Sequence, residues 1–390
     1  MVTRLTEKTD VLIIGGGLVG LASAHYLSLE GVECAVVERG ELNRDGSGTN
    51  AGSIHIQLRE PEIQYSDEVL REFIPMKVAA GKIWAQIEKE LGCDLGLKIK
   101  GGFLVGETAE DVDLAQRLVD YERRFGLHAE VLGPRELRDL APGVSEHVTV
   151  AAYDPAEGSA NTLLVGPAYA RAAEKSGARI HTRTNVTGII PKISGGFRVQ
   201  TDRGDIECAR ILNCAGPWAT RLTRMVGWDV PVAGRIIQVN VSDRRERVLN
   251  QLIGHIRGGL TLKQTTYGTF MMGGGWPAEL CPRTGEARVS RQSVTGNTGV
   301  AMRILPYLAN VSIVRTWLGI IAHSLDHDGS RLQMFGELPG VPDYYILSGG
   351  TLFTMGPLFA RLAAELLSGR KTTFPVSIYH PERFPITRVS

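Results

Sequence analysis

Cysteines at metal-ligand or redox spacing are missing: Cys34, Cys93, Cys208, Cys214 and Cys281 stand far apart, with no CxxC and no Cys/His couple. This excludes a disulfide framework and a zinc or iron–sulfur site, and it suits a reducing, cytoplasmic setting. An excess of charge of one sign is missing too. Lys and Arg total 43 against 42 Asp and Glu, a formal net charge of +1, so no broad field draws the chain to nucleic acid or anionic lipid. The polar start "MVTRLTEKTD" has no secretory core, and the apolar "VLIIGGGLVGLASA" is too short and too rich in glycine to cross a bilayer. No internal repeat and no His/Asp/Glu cluster at metal-ligand spacing is found. What remains is globular texture: 390 residues, 43% hydrophobic and 22% charged, more than one core normally organises, so two domains are expected.

The first motif follows a short apolar run, Val11–Ile14, which reads as a strand buried on both faces. Next comes "GGGLVG", giving Gly15-x-Gly17-x-x-Gly20, and then Ala and Leu at helical spacing. A second strand, "CAVVE", ends in Glu38, 18 residues beyond Gly20, with Arg39 after it. Gly15 permits the tight turn, Gly17 admits a pyrophosphate to the backbone, and Gly20 lets helix and strand pack closely. The helix start at Leu18 and Val19 offers N–H groups and positive partial charge to the phosphates. Glu38 would take the ribose hydroxyls, and its carboxylate disfavours the 2′-phosphate of NADP. The alternative, a glycine-rich turn in an unrelated α/β protein, leaves the strand, helix, second strand and terminal acid unexplained together.

An NAD domain would continue with further βα units. This chain instead enters "RGELNRDGSGTNAGSIHIQL", a long loop of small residues. Ser47 and Asn50 can bond phosphate or ribityl oxygens, while Ala51 and Gly52 leave backbone free beside a ring system. That points to FAD. Val186, in the predicted strand "NVTGII", could present its backbone to the adenine. The strand "ARILNC" runs into Ala215, Gly216 and Trp218, whose small neighbours let the chain pass beside the dinucleotide. Near the C-terminus, "DYYILSGG" reads as a strand ending at Gly350, then a loop and a helix over 357–367.

Together with "GTNAGSIH", "ILNCAGPWA", "RTWLGI" and "YYILSGGTLFTMGPLFARLAAELLSG", these segments resemble the D-amino-acid oxidase/glycine oxidase superfamily of FAD-dependent oxidoreductases. Within it, "NAGSIHIQL" and "GGTLFTMGP" look most like the FAD-bearing β subunits of opine oxidases, relatives of hydrogen cyanide synthase and dye-linked proline dehydrogenase subunits. The resemblance implies an α/β, Rossmann-like FAD-binding domain from residues 1–75, 151–230 and 326–390. It also implies an inserted α+β substrate domain with an antiparallel sheet from 76–150 and 231–325. Gly319 joins the cofactor set through the "WLG" match. The loop with Leu352, Phe353 and Thr354 should cover the pyrimidine edge, its N–H groups and the helix behind it favouring negative charge on reduced flavin.

The implied chemistry is removal of a hydride from the carbon beside an uncharged amine nitrogen to flavin N5, with hydrolysis of the resulting imine. The cofactor carries the hard step, so no strong acid–base signature is expected. One departure narrows the substrate. Relatives that act on glycine or D-amino acids carry "W-x-G-x-R-P", whose arginine grips the carboxylate; here Ile321 stands in that place. A secondary amine such as an opine, split to an amino acid and a 2-oxo acid, fits better. An α subunit and an electron-transfer partner are then expected. The alternatives are a self-sufficient D-amino acid, sarcosine or proline oxidase or dehydrogenase, and a non-catalytic FAD-binding scaffold.

Five residues are candidates for substrate contacts. His55 and Gln57 alternate with Ile54 and Ile56, so both should point from one side of a strand, either at the flavin or into a structural hydrogen bond. His255, Arg257 and Lys263 fall on the substrate-domain sheet and could bind carboxylates, or could be surface charges. His323 and His327 flank "SLD", near a cofactor edge or in a capped turn.

Overall fold

A computed structural model describes residues 5–281, 283, 286–326 and 331–389. Its first layer is built on β1 (Leu5–Ile14), whose Val11, Leu12 and Ile13 are fully buried. The turn after β1 feeds α1 (Leu18–Leu29), and β2 (Cys34–Val37) returns beside it. The β-branched, apolar character of both strands follows from burial on both faces of a parallel pair. Helix α2 (Asp67–Leu91) starts on a Ser66 side chain that accepts from the Val69 N–H and ends at Gly92 in the left-handed conformation.

The first sheet runs Val186–Pro191, Phe197–Thr201, β3 (Gly204–Asn213), β1, β2, Arg179–His181, with Tyr344–Ser348 also paired to β3 and Met334–Glu337 beyond it. Its central pairs are parallel. Helix α1 packs between this sheet, Thr162–Lys175 and α3 (Gly356–Leu367), and the main hydrophobic core lies there. Proline near the start of α3 agrees with the sequence.

The second sheet runs Ile313–Ser324, Val232–Arg244, Thr269–Gly274, Leu260–Gln264, Leu252–His255, Gly102–Gly106, Val150–Asp154, Glu130–Leu132. We label its two long edge-side strands β4 (Val232–Arg244) and β5 (Ile313–Ser324). All neighbours are antiparallel except Leu252–His255 with Gly102–Gly106. A separate core of Phe103, Val105, Ile253, Leu262, Phe270 and Ile304 fills one face. The mixed α/β architecture is the one expected. Among the described residues, no helix is long and apolar enough to cross a membrane.

Because Phe103 is fully buried in that second core, Phe103→Ala should cost about 3–5 kcal/mol through lost contacts and an unfilled cavity. Urea unfolding of the two proteins, compared at equal slope, measures it.

Candidate active site

The parallel strands of the first sheet leave it at one edge. Ile14 is in register with Val37 and with Asn213, and Asn213 with Ile346. The segments leaving these strands therefore gather at one edge, where ligands of open α/β sheets bind. There the glycine turn is drawn tight: Gly15 has φ +118°, and a Cβ on it would lie 2.5 Å from the Cys214 carbonyl oxygen. A Cβ on Gly17 would meet Ser47 Oγ at 2.9 Å, so side-chain-free backbone is a steric requirement of this turn. Ser47 Oγ accepts from the Leu18 N–H at 2.9 Å, capping the start of α1. Glu38 sits at the end of β2, its carboxylate accepting from the N–H groups of Gly16 and Gly40, both at 2.8 Å.

A cavity of about 550 Å³ opens from this turn and runs between the two sheets. Of the residues expected to meet the cofactor, Gly15, Gly17, Leu18, Val19, Glu38, Arg39, Ser47, Asn50, Ala51 and Gly52 line it. So do Val186, Ala215, Gly216, Trp218, Gly350, Leu352, Phe353 and Thr354. Gly20 and Gly319 lie behind the wall. Gly20 brings α1 onto Gly15, while Gly319 lets β5 approach Thr49, whose carbonyl also accepts from Trp317 Nε1 at 2.9 Å. Arg39 pairs with Asp45 at 2.9 Å and stacks 3.8 Å from the Trp218 ring centre.

The C-terminal loop closes the far end. Thr351 adopts a left-handed φ of 58°, and Phe353 packs on Trp84 of α2 with ring centres 5.1 Å apart. Thr354 ties three elements together: its Oγ1 accepts from the His55 N–H at 3.0 Å and its carbonyl from Trp84 Nε1 at 2.7 Å. Behind the loop stands the N-terminus of α3, which places positive partial charge toward the cavity.

The candidate substrate residues divide. His55 lines the cavity, but Gln57 does not share its face: strand pairing here covers only Ser53–Ile54. The Glu157 carboxylate takes the N–H groups of Ile56 and Gln57 at 2.9 and 3.0 Å, so side-chain acceptors replace a ladder. Gln57 is fully buried, and its side chain donates to the Gly102 carbonyl. His255 and Arg257 lie off the cavity, beside Glu107 and Asp111 respectively. Lys263 is buried beneath the cavity wall and donates to the Ala51 carbonyl and, at 3.2 Å, to Ser53 Oγ. It supports the loop expected to meet the flavin. His323 lies within β5, not in a turn, and lines the cavity; His327 lies outside the described residues.

Electrostatics set the protonation. Burial, with the nearby charges of Arg59, Lys263 and Lys77, holds His55 well below the usual imidazole range. It is neutral at neutral pH, with Nδ1 in contact with the Arg59 guanidinium. Burial pulls Lys263 down to about 7. Arg59, Arg235, Arg331 and Trp276 also line the cavity and were missed. Arg235 left one signal, a single arginine interrupting the apolar run of "GRIIQVNV"; Arg59 left only its place four residues after His55.

A carboxylate-ended βαβ glycine turn, a cavity continuing from it between two sheets, and a backbone loop backed by a helix start define an FAD-binding oxidoreductase. The donor set fits FAD: a Cβ on Gly15 would run into the Cys214 carbonyl and fill the glycine cradle, and the Glu38 carboxylate lines the cavity beside it, an acceptor of the kind ribose hydroxyls need. Residues 10–366 match the model of the family described as FAD dependent oxidoreductase (DAO), and the chain belongs to that family. It is 26% identical to the glycine oxidase of Geobacillus kaustophilus (strain HTA426) over 381 residues, covering 96% of each chain. It is 24% identical to an opine oxidase subunit of Rhizobium meliloti over 394 residues, covering 97% of this chain and 98% of the relative. The fold is that of L-proline dehydrogenase from P. horikoshii, with a TM-score of 0.87, 24% identity and coverage of 97% and 98%.

Gly17→Val should lower FAD retention at least about tenfold by filling the pyrophosphate approach, read as flavin absorbance per protein after desalting. Lys263→Met should remove a pH dependence. With its amine near 7 when folded and near 10.5 when unfolded, the native state binds fewer protons, so stability rises as pH climbs through that window. Melting temperatures at pH 7 and pH 9 should climb more in the parent than in Lys263→Met.

Proposed function

We propose that this enzyme oxidises a C–N bond of an amino-acid-derived secondary amine, an opine, releasing an amino acid and a 2-oxo acid. It would serve as the FAD-bearing subunit of a heteromeric dehydrogenase. The two sheets would divide the labour, the first holding FAD and the second facing substrate. The observation that carries this is the wall strand β5, which presents Ile320, Ile321 and Ala322 to the cavity, so that this strand itself offers a carboxylate no bidentate partner. End-to-end likeness to the opine oxidase subunit supports it.

FAD, when bound, supplies the hydride acceptor. The protein's part is position and field. Neutral His55 offers a hydrogen bond without adding charge beside the amine, which must itself be uncharged to react. Amides of the 352–354 loop, backed by α3, favour negative charge at that end of the cavity. Glu38 and the glycine turn fix the dinucleotide, so the reacting end is positioned by the distant one. The likeness to glycine oxidase favours a second reading, a self-sufficient oxidase of small amines.

An anaerobic absorbance screen across opines, imino acids and D-amino acids separates these. Bleaching by an opine, with slow peroxide formation by the isolated chain in air, is the expected outcome. Fast peroxide formation on an ordinary D-amino acid would overturn the proposal.

A further inference from the structure

One part of the cavity carries positive charge that no carboxylate among the described residues pairs with. The lining carboxylates are all engaged: Glu38 by backbone N–H groups, and Glu41, Asp45 and Glu62 by Arg183, Arg39 and Lys77. Among the described residues, no carboxylate pairs with the guanidinium of Arg235 or of Arg331, although both line the cavity.

The strand register places one of them closely. Arg235 of β4 stands directly opposite Ile321 of β5. Opposed residues of an antiparallel pair project from one face, and His323, two residues along β5, shares that face. Both ring nitrogens of His323 are buried, and neither has a hydrogen-bond partner. Burial first, then the charges of Arg331 and Arg235, push His323 down to about 4. It is therefore a neutral imidazole with one N–H to donate and, among the described residues, nothing to receive it. The two guanidinium groups are solvent-exposed and, among the described residues, have no carboxylate partner, while the buried imidazole beside them is unsatisfied, a combination that suits an anion with several acceptor atoms entering from the cavity.

We propose that Arg235, Arg331 and His323 form a carboxylate-binding subsite of the cavity, with Arg235 as the principal anchor. The subsite rests on the reading that the substrate is an amine bearing carboxylates, and it names what would hold one of them. Arg235 supplies the planar fork, Arg331 adds a second positive charge, and His323 satisfies its orphaned N–H on the bound oxygen. A carboxylate there also offsets the repulsion between the two guanidinium groups, so its binding should be opposed by salt.

The test uses the FAD-loaded protein and succinate as the probe, followed by calorimetry and by perturbation of the flavin absorbance. Arg235→Met should weaken succinate roughly 10- to 100-fold, the range of a charge-assisted hydrogen-bond pair, with flavin content unchanged. Arg235→Lys should recover part of the loss, because it keeps the charge and loses the fork. With a substrate found in the anaerobic screen, Arg235→Met should raise KM far more than it lowers kcat. Equal succinate affinity in parent and Arg235→Met, or no succinate binding by the parent, overturns the subsite. If no amine bleaches the flavin while succinate binding still depends on Arg235, the proposed function fails and the subsite stands. If an opine bleaches it with KM unchanged in Arg235→Met, the reverse holds.

Discussion

Parallel strands that leave the first sheet at one edge are the constraint on which the site depends. Ile14, Val37, Asn213 and Ile346 are level across the first sheet, and the chain leaves these strands on the same edge, after Ile14, Val37, Asn213 and Ser348. The strands here are buried on both faces, so a slipped register would misplace close-packed side chains on each of them. Convergence of segments more than 300 residues apart is thus a by-product of strand packing. The glycine turn, the ribose-side carboxylate, the Ala215–Trp218 bend and the 350–354 loop need no long-range side-chain contacts to meet.

That explains why this half of the site was legible in the sequence. Gly15 and Gly20 are demanded by backbone that comes within contact distance, and only glycine leaves that mark in a sequence. Glu38 follows from strand length. The other half is governed by side chains from distant segments. Ile54 to Gln57 reads as an alternating strand, yet pairing ends at Ile54 because Glu157, about a hundred residues later, captures the next amides. His255 and Arg257 have the composition of a binding pair, but Glu107 and Asp111 lie close enough to claim them. Nothing local distinguishes a cation with a partner from one without.

The loop that carries His55 is held by an unusual device. Beyond Glu157, the buried Glu122 takes the Leu58 N–H, and the buried Lys77 bridges the Gln57 carbonyl and Glu62 at 2.9 and 2.7 Å. Burial raises Glu122 well above the carboxylate range and raises Glu157 as well, against the opposing pull of Lys77 on both. Such groups cost more than an apolar core of equal volume, so stability does not explain them. Their geometry does: each accepts from, or donates to, the main chain of residues 56–62. A segment with no strand neighbour is thereby fixed in one conformation beside the cavity, with Arg59 and His55 in contact.

The two sheets therefore place different demands on sequence change. On the first, backbone conformation is the binding element, so many side chains can vary provided the glycines and the strand register persist. On the second, β4 and β5 present side chains to the cavity, and one replacement there alters its charge without disturbing a fold that rests on thirteen and twelve residues of continuous strand. Identity near 25% over almost the whole chain, with the fold kept, is what such a division permits. Ile321 and Arg235 illustrate it: they are cross-strand neighbours, so positive charge can sit on either strand and still face the same cavity. The charge that faces the cavity can then move across a sheet while the glycine turn stays as the parallel register leaves it.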